Sequence, residues 1–202
     1  MKIQLAVDRV TIEEAVDIIE QAKDSIDIIE IGTSLFLDYG QESLHTLRKR
    51  FDHTILTDIK TMDEAEYEFR RVYGNGADIA TVMGASAIET IRICQQTAQA
   101  FNRDYMIDSL EVSDEKIQAL KEFEDAIICL HLPKDKKGSL KDYVEGFIKK
   151  HQLTNRLAAA GGITLEDMPY LKEAGIEIAV VGSAITKSDN ITEAAKSFKE
   201  SA

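Results

Sequence analysis

The sequence predicts one α/β domain over residues 1–202, folded as a compact (β/α)8 TIM barrel. Three observations carry that reading. Eight short, β-branched apolar runs recur along the chain, and several are apolar nearly throughout, as parallel strands covered on both faces are. Amphipathic helical patterns fill the intervals between them. The first strand is followed by Asp8-Arg9-Val10 and not by a G-x-G-x-x-G turn, which disfavours the competing doubly wound open sheet. Eight units over 202 residues leave roughly 25 residues per unit, slightly compact for such a barrel.

The predicted strands are 3–7 (IQLAV), 26–31 (IDIIEI), 54–59 (TILTDI), 78–82 (DIATV), 104–107 (DYMI), 126–130 (AIICL), 156–160 (RLAAA) and 177–181 (EIAVV). Eight helices are expected in strict alternation with them. Thr11 and Glu14 have the spacing of a capping box, and Ile12, Ala15, Val16 and Ile19 share one face behind it. Ser86 and Ser113 are expected to cap helices that end near Ala100 and Lys121. Thr164 with Asp167 makes a similar start before Met168, Leu171 and Ala174. Gly74 and Gly175 stand where helices should stop.

Composition narrows the function. Twenty-four basic against 36 acidic residues give a net charge of −12, which argues against a nucleic-acid binder and against an electrostatic membrane anchor. No apolar run approaches ~20 residues, so no transmembrane helix is expected. The N-terminal apolar stretch is short and soon acidic, unlike a signal peptide, and a cytoplasmic protein is expected. Cys94 and Cys129 have no Cys or His partner at metal-ligand spacing and read as reduced core thiols.

In a barrel the strand C-termini form the catalytic rim. Here that rim collects Asp8, Glu30, Asp58 with Lys60, Gly84, Asp108, His131, Gly161-Gly162 and Gly182-Ser183. A packed core has no use for so many polar groups, although Asp8 and Asp108 taken singly also suit helix capping. Asp58-Ile59-Lys60-Thr61-Met62-Asp63 has the spacing D-x-K-x-x-D. Strand alternation puts Asp58 and Lys60 on one side, and a lysine beside carboxylates keeps its charge. Such a pair suits stabilisation of an enolate or enediolate, with Lys60 facing the developing oxyanion. His131 alone among four histidines falls at a strand end, and imidazole titrates near ~6.5, so proton transfer is its expected task. Glycines after strands seven and eight leave backbone N–H groups bare for a phosphate, with the Ser183 hydroxyl beside them; tight turns also want glycine.

The segments Ile28-Ile29-Glu30-Ile31-Gly32-Thr33, Asp58 to Asp63, Gly76 to Gly84, Ala160-Gly161-Gly162-Ile163 and Val181 to Thr186 resemble the orotidine-monophosphate decarboxylase superfamily, in order and over essentially the whole chain. Within it they are most similar to the 3-hexulose-6-phosphate synthases, through Thr61-Met62-Asp63, Gly84 and Asp108. The 3-keto-L-gulonate-6-phosphate decarboxylases are the nearest group with different chemistry. Two places depart from the synthase pattern: Gly182-Ser183 stands where Gly-Gly is common, and Leu132-Pro133-Lys134 after His131 matches neither group.

The resemblance implies an aldolase acting on ribulose 5-phosphate and formaldehyde, with a keto-acid decarboxylase, or a sugar-phosphate-binding barrel without turnover, as alternatives. It implies Mg2+ on Glu30 and Asp58; a buried Glu30–Lys60 ion pair is the other reading of that carboxylate. Asp8 would orient Lys60 or bind substrate hydroxyls, and Asp108 would contact substrate. Gly161, Gly162, Gly182 and Ser183 match the phosphate site. Asp63 would reach into a neighbouring subunit, which implies a homodimer with shared active sites; an acid complementing a helix dipole is the alternative. Lys134 would close over the phosphate, or belong to a solvated charge run ending at Lys137.

Overall fold

In the computed structural model, which describes residues 1–133 and 138–202, eight parallel strands close into a barrel in chain order. The expected closure of Lys134 over a phosphate lies outside the described residues. The strands are β1 (Lys2–Val7), β2 (Ile28–Ile31), β3 (Thr54–Thr61), β4 (Ile79–Met83), β5 (Asp104–Asp108), β6 (Ile127–His131), β7 (Arg156–Ala160) and β8 (Ile178–Val181). β1 pairs with both β2 and β8, and that last pairing distinguishes a barrel from an open sheet.

Around the barrel lie α1 (Ile12–Ala22), α2 (Thr33–Tyr39), α3 (Gln41–Arg50), α4 (Ala65–Tyr73), α5 (Ile88–Phe101), α6 (Asp114–Leu120), α7 (Leu140–His151), α8 (Met168–Glu173), α9 (Ser183–Thr186) and α10 (Ile191–Ser201). The strict alternation of eight helices is therefore corrected. The chain between β2 and β3 holds two helices because Gly40, at φ +55, ends α2 and redirects it into α3. A short α9 precedes α10 after β8. No helix of the described residues is long and apolar enough to cross a membrane.

Local signals act largely where they stand in the sequence. Thr11 and Glu14 form the reciprocal capping box of α1, and the Ser113 hydroxyl accepts the Lys116 N–H at the start of α6. Ser86 does not cap α5: its hydroxyl donates to the Met83 carbonyl, and Ala87 takes the cap position. Asp167 accepts both the N–H and the hydroxyl of Thr164, and α8 starts only beyond that turn.

Strand alternation divides the core in two. One set of side chains packs outward against the helices, among them Ile3, Leu5, Ile29, Ile55, Ile107 and Ile128. The other fills the barrel with Ile28, Leu56, Ile79, Met106, Ile127, Cys129, Ala158, Ala160 and Ile178. Two residues further along the same inward faces stand Glu30, Asp58, Thr81, Asp108 and, after Cys129, His131. An apolar floor thus carries a polar layer at the C-terminal mouth. The opposite end is closed by structural pairs: Asp27 and Asp78 accept the N–H of Ile3 and Ile55, and Lys199 and Arg103 pair with the same two carboxylates.

Candidate active site

β3 does not leave the barrel as a regular strand. Thr57 pairs with Ala80 and Thr61 with Val82, so Asp58, Ile59 and Lys60 together face the single residue Thr81. This is a bulge, and it puts Lys60 at φ +49, in the left-handed region that a side chain with Cβ seldom takes. Asp58 and Lys60 do meet, their side chains joined directly. The bulge brings them together; simple alternation does not account for it.

Asp58 is almost fully bonded. Its Oδ1 accepts from the Thr81 hydroxyl at 2.8 Å, and its Oδ2 accepts from the Thr33 hydroxyl at 2.7 Å and from the Lys60 ammonium. Lys60 Nζ also lies 3.6 Å from Asp108 Oδ2. Burial pulls the lysine pKa down, but Asp58 and Asp108 outweigh it, and the net shift is upward. Lys60 therefore stays an ammonium ion throughout the neutral range.

Asp108, at the end of β5, faces the His131 Nδ1 at 2.9 Å and accepts the Leu110 N–H at 2.9 Å. Burial raises its pKa, yet the bond and charge of His131 and the charge of Lys60 prevail, and the carboxyl is held below its usual range. An ionised Asp108 only accepts, so the proton of a neutral His131 belongs on Nδ1 and leaves Nε2 as the open base. A continuous line results across β3, β5 and β6: Asp58, Lys60, Asp108, His131.

Glu30 is also buried, with Oε2 accepting from Gln4 Nε2 at 2.6 Å. Burial, followed by the charge of Asp58, pushes its pKa up to about 8 against the pull of Gln4 and Lys60. The Glu30–Lys60 ion pair, the alternative reading of this carboxylate, is absent among the described residues, where Lys60 pairs with Asp58 and Asp108. Asp8 is exposed at the end of β1, and its Oδ1 accepts from the Ser34 N–H and hydroxyl at 3.1 and 2.7 Å. It bonds Ser34 and not Lys60, so the orienting groups for the lysine are Asp58 and Asp108. A Cβ on Gly32 would come within 2.3 Å of the Asp8 carboxyl. Glycine there makes room for the acid.

His131 is in register with Ala160, which sets Gly161 just beyond the histidine at the mouth. Gly161 and Gly162 have φ of +119° and +72°. A Cβ at Gly161 would lie 2.5 Å from the Leu132 carbonyl oxygen, so packing and backbone both demand glycine there, whereas the space beside Gly162 is open. Gly182 caps α9 at φ −105°, free of close contact, and Ser183 follows it. β7 pairs with β8, which places these two turns side by side.

Asp63 stands apart. It is exposed, one residue before the N-cap of α4, and bonds no described side chain. It lines a groove of about 480 Å³ between α4 and α5 with Tyr67, Arg70 and Ile93. Cys94 and Cys129 are buried free thiols, raised in pKa by burial, in keeping with core positions.

Comparison with known proteins shows the family. The sequence pattern of the orotidine 5'-phosphate decarboxylase / HUMPS family matches residues 1–198. The chain belongs to this family. Among its relatives, the 3-hexulose-6-phosphate synthase of Bacillus subtilis (strain 168) is 31% identical over 207 residues, covering 99% of this chain and 98% of that one. A 3-hexulose-6-phosphate synthase structure from Salmonella typhimurium superposes with a TM-score of 0.93 at 27% identity, covering 100% of this chain and 98% of that one. A 3-keto-L-gulonate-6-phosphate decarboxylase from Vibrio cholerae O1 biovar El Tor str. N16961 gives 0.88 at 25% identity, with 99% and 96% covered.

Gln4, Thr33, Ser34 and Thr81 were not among the residues expected in a site of the orotidine 5'-phosphate decarboxylase / HUMPS family. Gln4 had a legible signal, a polar residue inside the apolar run IQLAV. The hydroxyl residues had none, because threonine is common in strands.

Proposed function

We propose that the chain is an aldolase of the 3-hexulose-6-phosphate synthase type, joining formaldehyde to ribulose 5-phosphate through an enediolate. The observation that carries this reading is the line Asp58–Lys60–Asp108–His131, which sets a permanent ammonium beside an imidazole with one open nitrogen. The names of the full-length relatives support the substrate class. His131 Nε2 takes the proton from C1 of ribulose 5-phosphate. The electrons of that C–H bond form the C1–C2 double bond, and the C2 oxygen gains negative charge, which Lys60 stabilises. C1 then attacks the carbon of formaldehyde, and the aldehyde oxygen receives the proton back from His131. Asp108 keeps the imidazole in the required tautomer at every stage. The phosphate rests on the backbone of Gly161, Gly162, Gly182 and Ser183, and Asp8 binds substrate hydroxyls.

Mg2+ belongs to this proposal, and the residues fit it. Glu30 and Asp58 are hard oxygen donors, and Glu30 is a buried carboxyl, bonded to Gln4, whose charged form is disfavoured by burial and by Asp58, so a cation beside it would offset that cost. Among the described residues no three His, Cys, Asp or Glu side chains gather as a metal set. Two carboxylates, with substrate oxygens and water, are a usual Mg2+ environment. The ion would supply further positive charge to the enediolate oxygens. We also propose a homodimer in which Asp63 serves the neighbouring site; exposed Met62, Tyr67 and Ile93 beside it support that face.

The test is turnover of ribulose 5-phosphate with formaldehyde, and separately of 3-keto-L-gulonate 6-phosphate, with Mg2+ and with excess chelator. Formaldehyde-dependent consumption that requires Mg2+ is expected. Carbon dioxide release from the keto acid without aldol product would select the decarboxylase. Binding without turnover of either would leave a sugar-phosphate-binding barrel.

A further inference from the structure

The geometry points to Thr81 as the positioning residue of the Asp58–Lys60 pair: one buried hydroxyl sets both the lysine backbone and the carboxylate. This rests on the enediolate reading only for its kinetic consequence.

Thr81 is the one residue of β4 opposite the three-residue bulge of β3. Its side chain is buried on the inward face of the barrel. The bulge takes the Lys60 N–H out of the strand ladder, and the Thr81 hydroxyl oxygen receives it at 2.9 Å. The same hydroxyl lies 2.8 Å from Asp58 Oδ1. The direction of both bonds is forced. A backbone N–H can only donate and an ionised carboxylate can only accept, so the single hydroxyl proton goes to Asp58 and a lone pair takes Lys60.

The consequence is mechanical. Lys60 sits in the left-handed region, a conformation that persists only when its surroundings hold it. Thr33 and the lysine ammonium both bind Asp58 Oδ2, so Thr81 is the described partner of the other oxygen. When the ammonium leaves Asp58 for a developing oxyanion, Thr81 and Thr33 keep the carboxylate in place. Thr81 also keeps the Lys60 Cα where its side chain reaches both Asp58 and Asp108. Valine has the shape of threonine without the hydroxyl, while serine keeps the hydroxyl.

The experiment compares wild type with Thr81→Val and Thr81→Ser by amide hydrogen exchange, observed by NMR on isotope-labelled protein, and by steady-state kinetics. The Lys60 amide should be protected in wild type and in Thr81→Ser. In Thr81→Val it should exchange at least about 10-fold faster, with Ala80 and Val82 unchanged. In the same variant kcat should fall about 10- to 100-fold, the worth of one hydrogen bond to a charged group, with KM within about 3-fold because the phosphate is held elsewhere. Serine should restore kcat to within about 3-fold. Thr81→Ala, which also lacks the hydroxyl, is read the same way if the valine variant does not fold. Undiminished protection of Lys60 without the hydroxyl, or serine as damaging as valine, overturns the proposal. The exchange readout needs no substrate. A wild type inactive on ribulose 5-phosphate overturns the functional reading, and the Lys60 amide still decides the role of Thr81.

Discussion

Replacing Glu30 by glutamine should make the protein more stable at alkaline pH when no divalent cation is present. Glu30 is a buried carboxyl whose pKa rises from 4.5 to about 8, through burial first and the charge of Asp58 second. A group with a raised folded pKa favours the fold in its protonated form. Its contribution is complete below pH ~4.5 and is lost as pH climbs through ~8. The interval is 8 − 4.5 = 3.5 pH units, which at about 1.36 kcal/mol per unit makes a ceiling of about 5 kcal/mol. Glutamine preserves the shape and can still accept from Gln4, but it does not ionise. The assay is urea denaturation of both proteins in chelator from pH 4.5 to 9. The stability of wild type relative to Glu30→Gln should fall from pH 4.5 to about 8 and level off above it. Mg2+ should then restore wild type at pH 8, by about 2.7 kcal/mol at a hundred times its Kd, and leave the variant unmoved. A difference independent of pH would refute the buried, cation-hungry carboxylate. Restoration of both proteins alike would place the metal elsewhere.

The other predictions follow from the same geometry. His131→Ala should slow exchange of the C1 proton of ribulose 5-phosphate with deuterated water, formaldehyde absent, by about 10²–10⁴-fold; an intact rate would pass the base role to another residue, Asp63 first, since Lys60 keeps its proton. Mixing inactive Asp63→Ala and Lys60→Ala proteins should regain part of the activity, since a hybrid dimer holds one complete site, and no recovery after confirmed subunit exchange would confine Asp63 to its own subunit or remove it from catalysis. Gly32→Ala should lower kcat/KM by about 10-fold or more by displacing the Asp8 carboxylate from Ser34, with Tm nearly unchanged because φ at Gly32 is −64° and suits any residue. Equal activity in that variant would take Asp8 out of substrate binding.

The legible part of this protein is what a strand or helix states about itself. Period-two alternation in IIEI, TILTDI and IICLH says which side chains share an inward face, and so Glu30, Asp58 and His131 could be placed at one mouth before any contact was known. The capping box at Thr11 was equally open, because both partners lie within one turn. Ser86 shows the limit of such signals, since a neighbouring residue can take the cap while the expected one turns back to a carbonyl.

Closure of the sheet was decided only by the pairing of β1 with β8, between segments nearly the whole chain apart. The same holds for the site. Asp108 meets His131 across 23 residues and Thr81 meets Asp58 across 23, while Ser34 meets Asp8 across 26. Alternation assigns a face to each of these residues. It does not say which neighbour stands beside it, because that depends on strand register, and register is set by packing around the whole barrel. The bulge at Lys60 is the sharpest case. A strand pattern read locally runs straight through Asp58-Ile59-Lys60, and only the fixed spacing between Ala80 and Val82 on the adjacent strand forces three residues to oppose one.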